Sequence, residues 1–138
     1  MSGRLLTFGV GPRVYGVAVH EVQEVLAALP RTRVPRAPAA LAGLVNLRGE
    51  VVTVVDLRAR LGLPPAEPGA HEEVMVVLRT SEEPTALLVD TIGSVVDVDD
   101  PLPVPDTLRG DPLALVDGVH VLPDHLLLRL DVAQAVAV

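Results

Sequence analysis

Leu44-Val45-Asn46-Leu47-Arg48-Gly49-Glu50-Val51-Val52-Thr53-Val54-Val55-Asp56-Leu57-Arg58 is the stretch on which the fold of this chain turns. Three apolar residues around Asn46, a Gly-containing turn and a run of β-branched residues read as strand, tight turn, strand. The second run is β-branched on both faces, which marks a central strand buried on each side. After Asp56, Leu57 to Leu61 supplies one helical turn with an acid at its start, and Gly62 gives a natural stop.

Outward from this segment, strand-length apolar runs recur between turn signals, the pattern of a mainly β protein and not of βαβ units. Leu5 to Val10 and Val14 to Val19 flank Gly11-Pro12-Arg13, a hairpin turn. From His20 to Leu29, Val22, Val25, Leu26 and Leu29 recur at spacings of three and four, which predicts a short helix ended by Pro30. Arg31 to Pro38 is Pro-punctuated and belongs at an edge or in an extended surface connection. Pro64 to Gly69 is a linker. Beyond it, Val74 to Leu78, Ala86 to Val89, Val95 to Val98, Val119 to Leu122 and Leu126 to Leu130 are further strands, and Val132 to Val138 predicts about two helical turns. The reading is one domain over residues 1–138 with two β-clusters meeting near residue 66: roughly 11–66 and 67–130, terminal strands crossing between them.

Composition narrows the function. The 138 residues are 49% hydrophobic and 21% charged, a globular balance. There is no Cys, hence neither a disulfide framework nor a thiolate metal site. All eleven basic residues are Arg, which removes P-loop, Schiff-base and pyridoxal chemistry. A net charge of -7 argues against nucleic acid as a partner, and no apolar run reaches the length for membrane insertion. Residues 1–63 hold eight Arg against four acids, whereas 64–138 hold three Arg against fourteen, so the two halves are expected to face different partners. Ser2, Ser81 and Ser94 sit in no nucleophile-elbow context. His120 and His125, with Asp117 and Asp124, have the wrong spacing for a helical metal pair and read as polar loop residues. Neither catalysis nor a cofactor nor a metal is expected.

The segment Gly43 to Arg58 closely resembles the signature of the CheW-like family, an Asn-Leu-Arg-Gly turn followed by a strand ending in Asp-Leu-Arg. Tyr15-Gly16-Val17 and Val22-Gln23-Glu24-Val25 are similar to the family's first hairpin and helix, and Leu87-Leu88-Val89-Asp90 with Ser94-Val95-Val96 to its later strands. The resemblance implies two intertwined five-stranded SH3-like barrels with short helices. It also implies an adaptor in arrays at the inner face of the membrane, with a groove that receives the tip of a chemoreceptor. Val22, Glu24, Gly43 and Arg48 match that groove, Arg48 pairing with the Glu24 carboxylate. Docking of the regulatory domain of a CheA-type histidine kinase falls to Ile92, Val95, Pro105 and Leu108.

Departures from the family pattern are Thr53 in place of Pro, Ala86 in place of Gly, and residues 108–125, where two Pro and two His stand in place of a plain hairpin. The C-terminal helix is short, and Phe8 and Tyr15 are the only aromatic residues. Two rivals follow: a divergent adaptor that binds receptor but not kinase, and a small β-barrel ligand binder or enzyme.

Overall fold

The computed structural model of the chain describes residues 3–70, 72–79, 83–104 and 115–137. Strands β1 (Gly3–Val10) and β2 (Arg13–Ala18) form the hairpin expected around Gly11, whose φ of 59° needs glycine's freedom. A 3₁₀ turn, Val19–Glu21, leads into β3 (Val22–Ala27). Strands β4 (Leu41–Leu47) and β5 (Glu50–Asp56) follow, then one helical turn, α1 (Leu57–Arg60). The second half repeats this order with β6 (Val74–Leu78), β7 (Thr85–Val89), β8 (Thr91–Val98), β9 (Val116–Val121), β10 (Leu126–Leu130) and α2 (Val132–Ala135).

The helix read from His20 to Leu29 is not formed. Spacings of four satisfy a two-residue period as well as a helical one, so Val22 and Leu26 fit either. Pairing with β6 selects the strand. Val22, Glu24 and Leu26 are partly buried and Val25 is 38% exposed; a slip in register between Val22 and Glu24 lets Val22 and Leu26 pack on different cores. At the C-terminus the helix is a single turn over Val132–Ala135, and Val138 lies outside the described residues.

The strands assemble into two five-stranded sheets, β8-β1-β2-β10-β9 and β3-β6-β7-β5-β4. A division at residue 66 does not describe this partition. Each half of the chain gives two strands to one sheet and three to the other, because the chain crosses over after β2 and again after β7. The halves are structural repeats, and each sheet is shared between them. Each sheet has one parallel pair, β10 with β2 and β5 with β7. Each half ends in a turn of helix capped by an aspartate: Asp56 accepts from the Ala59 N–H and Asp131 from that of Gln134.

Neither hydrogen-bond ladder closes into a ring, yet both sheets curl until the chain leaving one edge strand touches the other edge. Thr32, downstream of β3, bridges Leu44 of β4, and Leu102, downstream of β8, bridges Val119 of β9. The apolar residues divide accordingly. Val52, Val54, Met75, Val77 and Leu88 fill the second sheet's own concavity. Phe8, Val10, Tyr15 and Val17 meet Val55, Val76, Leu87 and Val89 in the core between sheets. Neighbours such as Val54 and Val55, or Leu87 and Leu88, therefore serve different cores, which explains the two-faced apolar character of β5 and β7.

Gly43 makes the second sheet's bridge possible. A Cβ there would lie 2.6 Å from the Thr32 carbonyl oxygen, and φ is 144°. Gly43→Ala should therefore lower stability by about 1–3 kcal/mol. At its counterpart Gly118 a Cβ would lie equally close, 2.6 Å from Pro101 Cβ, but φ is not positive, so Gly118→Ala meets the steric penalty without the backbone strain and should lose less. Urea unfolding of both variants checks the order, and equal losses would contradict it.

Candidate interaction site at the Asn46–Glu50 turn

The turn between β4 and β5 is built by three side-chain choices. Arg48 and Gly49 both hold left-handed backbone, φ 51° and 86°, as a two-residue turn matched to strand twist requires. Asn46 Oδ1 accepts a 2.8 Å hydrogen bond from the Gly49 N–H, stabilising that geometry. Glycine suits the second position; arginine at the first is a conformation that L-residues seldom take.

The Arg48 side chain donates from Nη2 to Glu24 Oε1. Arg48 is 66% exposed and Glu24 27%. The Glu24 hydrogen bond and charge, with a lesser contribution from Glu50, hold the guanidinium above its ordinary pKa. Glu24 lies on β3 and Arg48 beside β4, the two opposite edges of the second sheet. The pair thus ties these edges together beside the Thr32–Leu44 bridge that Gly43 permits. Val22 is partly buried and packs on the core between sheets. Of the four residues matched to the receptor groove, Glu24 and Arg48 meet directly, Gly43 shapes the backbone nearby, and Val22 faces the core.

Ile92 and Val95 stand apart on β8, an edge of the first sheet, 42% and 51% exposed. Pro105 and Leu108 lie outside the described residues. β8 is held to β1 across an irregularity by Thr7, whose hydroxyl donates to the Ser94 carbonyl and accepts from the Ser94 N–H.

Other residues became visible only in three dimensions. Arg58 and Asp90, at the ends of two separate motifs, form a largely buried ion pair. Asp56 caps α1, as its position before Leu57 suggests. His120 is not a loop residue: it lies on β9, buried to 6% exposure, with Nε2 lacking a hydrogen-bond partner. The His125 ring nitrogen Nδ1 meets Asp124 Oδ1 at 2.6 Å, its carbonyl accepts from the Leu122 N–H, and β9 and β10 form a hairpin despite Pro123. Among the described residues no three His, Asp or Glu converge as metal ligands.

Burial, with the positive Arg129 nearby, lowers the His120 pKa against the opposing pull of Asp117 and Asp99. The unfolded chain then takes up a proton that the folded chain refuses, so stability falls as pH drops below the ordinary imidazole value of 6.5. His120→Leu should flatten this dependence, read as the difference in urea midpoint between about pH 7.5 and pH 5.5. An unchanged slope would assign it to other groups.

Comparison with known proteins agrees with this architecture. The model of the CheW-like domain matches residues 4–138. The chain belongs to the CheW-like family. A Rhizobium etli relative called probable chemotaxis protein CheW is 36% identical over 104 residues, covering 74% of this chain and 66% of that protein. Chemotaxis protein CheW of Rhizobium meliloti is 33% identical over 125 residues, covering 89% and 80%. The crystal structure of the scaffolding protein TtCheW from Thermoanaerobacter tengcongensis superposes with a TM-score of 0.83 at 24% identity, covering 94% of this chain and 89% of that one. The paired CheW-like sheets are thus a family fold, and among the described residues no helix is long and apolar enough to cross a membrane.

Proposed function

We propose that this CheW-like chain is a coupling adaptor that links chemoreceptor tips to a CheA-type histidine kinase. Its activity is assembly and not turnover. The observation that carries the reading is the Arg48–Glu24 tie, on the family's signature turn in a chain matched to the family over residues 4–138. An exposed guanidinium already oriented by a carboxylate is suited to recognition, since little freedom remains to be lost on binding. The receptor tip would contact the second sheet around Glu24, Gly43 and Arg48, with Val22 supporting the strand from below. The kinase's regulatory domain would meet β8 through Ile92 and Val95, together with Pro105 and Leu108. The working place is the cytoplasmic face of the membrane, without insertion into it.

Capture assays with a receptor-tip fragment and with the isolated kinase regulatory domain, run separately, test this. Both should be retained. Retention of the receptor alone would replace the proposal with a receptor-binding paralogue, and retention of neither would reject it.

A further inference from the structure

The two sheets repeat one another in register, and the repeat breaks at one edge. Val22 faces Leu78 and Leu78 faces Thr85 in the second sheet; Ile92 faces Phe8 and Phe8 faces Tyr15 in the first. Both edge strands then slip by one residue, after which Val25 faces Val76 as Val95 faces Leu6. Ser94 therefore occupies the position of Glu24. On the far side of each sheet, Thr53 pairs with Thr85 as Leu128 pairs with Tyr15, and Val45 faces Val52 as His120 faces Leu127. Pro123 therefore occupies the position of Arg48. A serine and a proline cannot form an ion pair, so the tie that crosses the outer side of β3 has no counterpart at β8.

The backbone of β8 is left open on that side. Thr7 takes both the N–H and the carbonyl of Ser94, so the N–H and C=O groups of Val95 and Asp97 point away from β1. Among the described residues no hydrogen bond fills this outer edge. Edge strands are commonly guarded by charge, proline or a bulge. Over Thr91–Val98 there is no Pro and one charged residue, Asp97, and the irregularity at Gly93 precedes the regular pairs from Val95 to Val98. The irregularity also serves another end. Because Phe8 and Leu6 are two residues apart on β1, their partners Ile92 and Val95 share one face of the sheet, where both are exposed. An open ladder edge beside a two-residue apolar patch is what an incoming extended strand recognises, its main chain giving affinity and its alternate side chains specificity.

Charge selects the occupant. Asp97, Asp99 and Asp100 lie at the carboxyl end of β8, and Arg4 pairs with Asp97. A second copy of the chain would bring its own net charge of -7 to this edge. A basic segment is attracted instead, and in the antiparallel sense its amino-terminal residues lie beside the acids. We propose that the outer edge of β8 accepts a basic, extended segment of a partner as an added antiparallel strand, with apolar residues on Ile92 and Val95 and amino-terminal arginine or lysine beside the acids. The site shares Ile92 and Val95 with the kinase surface proposed above but does not rest on it, since a free peptide tests it.

The probe is acetyl-Arg-Arg-Val-Thr-Val-Thr-amide, added to the ¹⁵N-labelled full chain while the β8 amides are followed by NMR and hydrogen exchange. Saturable shifts should centre on Val95 and Asp97, exchange of these two amides should slow by about tenfold or more, and binding should weaken with added salt. The fully N-methylated peptide, which keeps the side chains and loses the donors, should not bind. Val95→Pro removes an outward donor without touching the β1 ladder, so saturation should vanish while the rest of the spectrum stays native. Absence of saturation, equal binding of the N-methylated peptide, or binding retained in a folded Val95→Pro would overturn strand addition; if that variant does not fold, the N-methylated peptide decides alone. Equal binding of a peptide with Glu-Glu in place of Arg-Arg would overturn the basic occupant. Dimerisation that protects the same amides without peptide would overturn it in favour of a second copy.

Discussion

Asp90→Ala should cost the fold about 3 kcal/mol or more, the usual result of leaving a buried charge without its partner. Asp90 stands where the chain passes from β7 in one sheet to β8 in the other. Its carboxylate accepts from Arg58 Nε at 2.9 and 3.1 Å and from Nη2 at 2.9 Å. It also accepts a 2.8 Å bond from the Gly11 N–H in the β1–β2 turn. Arg58 Nη1 continues to the Pro64 carbonyl at 2.7 Å. One carboxylate thus joins the helical turn after β5, the crossing between sheets and the first hairpin. The side chains are 17% and 10% exposed, so water screens them little. Removing the carboxylate strands a guanidinium and a backbone donor together. Denaturant unfolding reads the loss, and Arg58→Met/Asp90→Leu should recover most of it, because replacing both charges removes the desolvation cost along with the attraction. A wild-type midpoint in Asp90→Ala would show that the pair does not hold the sheets in place.

Arg48→Glu should leave the fold intact and weaken binding to a receptor-tip fragment by at least about tenfold, as charge reversal at a recognition hot spot does. The side chain is mostly exposed and the turn geometry is set by Asn46 and Gly49, so unfolding curves should barely move. The exchange variant Glu24→Arg/Arg48→Glu separates two roles. It restores attraction between the sheet edges but presents the opposite charges to a partner. If the pair acts by contacting the receptor, the exchange stays weak, which is the expected outcome. Recovery of affinity would mean that the pair only props β3 against β4. Unchanged affinity in Arg48→Glu itself would remove the proposed receptor site.

Several of these features are legible in the amino-acid sequence alone. The Val51–Val55 run reads as a strand buried on both faces because β-branched residues occupy both alternations, and the reason is that Val55 packs on the core between sheets while Val52 and Val54 fill the second sheet's own core. Asp56 announced a cap, and Gly11 and Gly49 announced turns. In the β3 segment the apolar spacing fits a helical and a two-residue period at once, and only the partner strand β6 decides between them. The two bridges, Thr32 to Leu44 and Leu102 to Val119, are single contacts that leave no pattern in a linear chain. Arg58 and Asp90 each ended a recognisable motif, yet nothing in a separation of 32 residues says that they meet. The spacing of His120 and His125 argues only against a helical metal pair and does not locate His120; its pairing with Leu127 puts it on a strand.

The crossover after β2 and again after β7 has a consequence for how the chain can be divided. Cleavage in the linker between Leu63 and Ala70 would yield two fragments, each carrying strands whose hydrogen-bonding edges belong to the other. Neither would hold its shape in isolation, and mixing them should regenerate the native spectrum only at concentrations where they associate. What looks like an internal duplication is, in mechanical terms, a dimer whose two members were tied end to end and can no longer live apart.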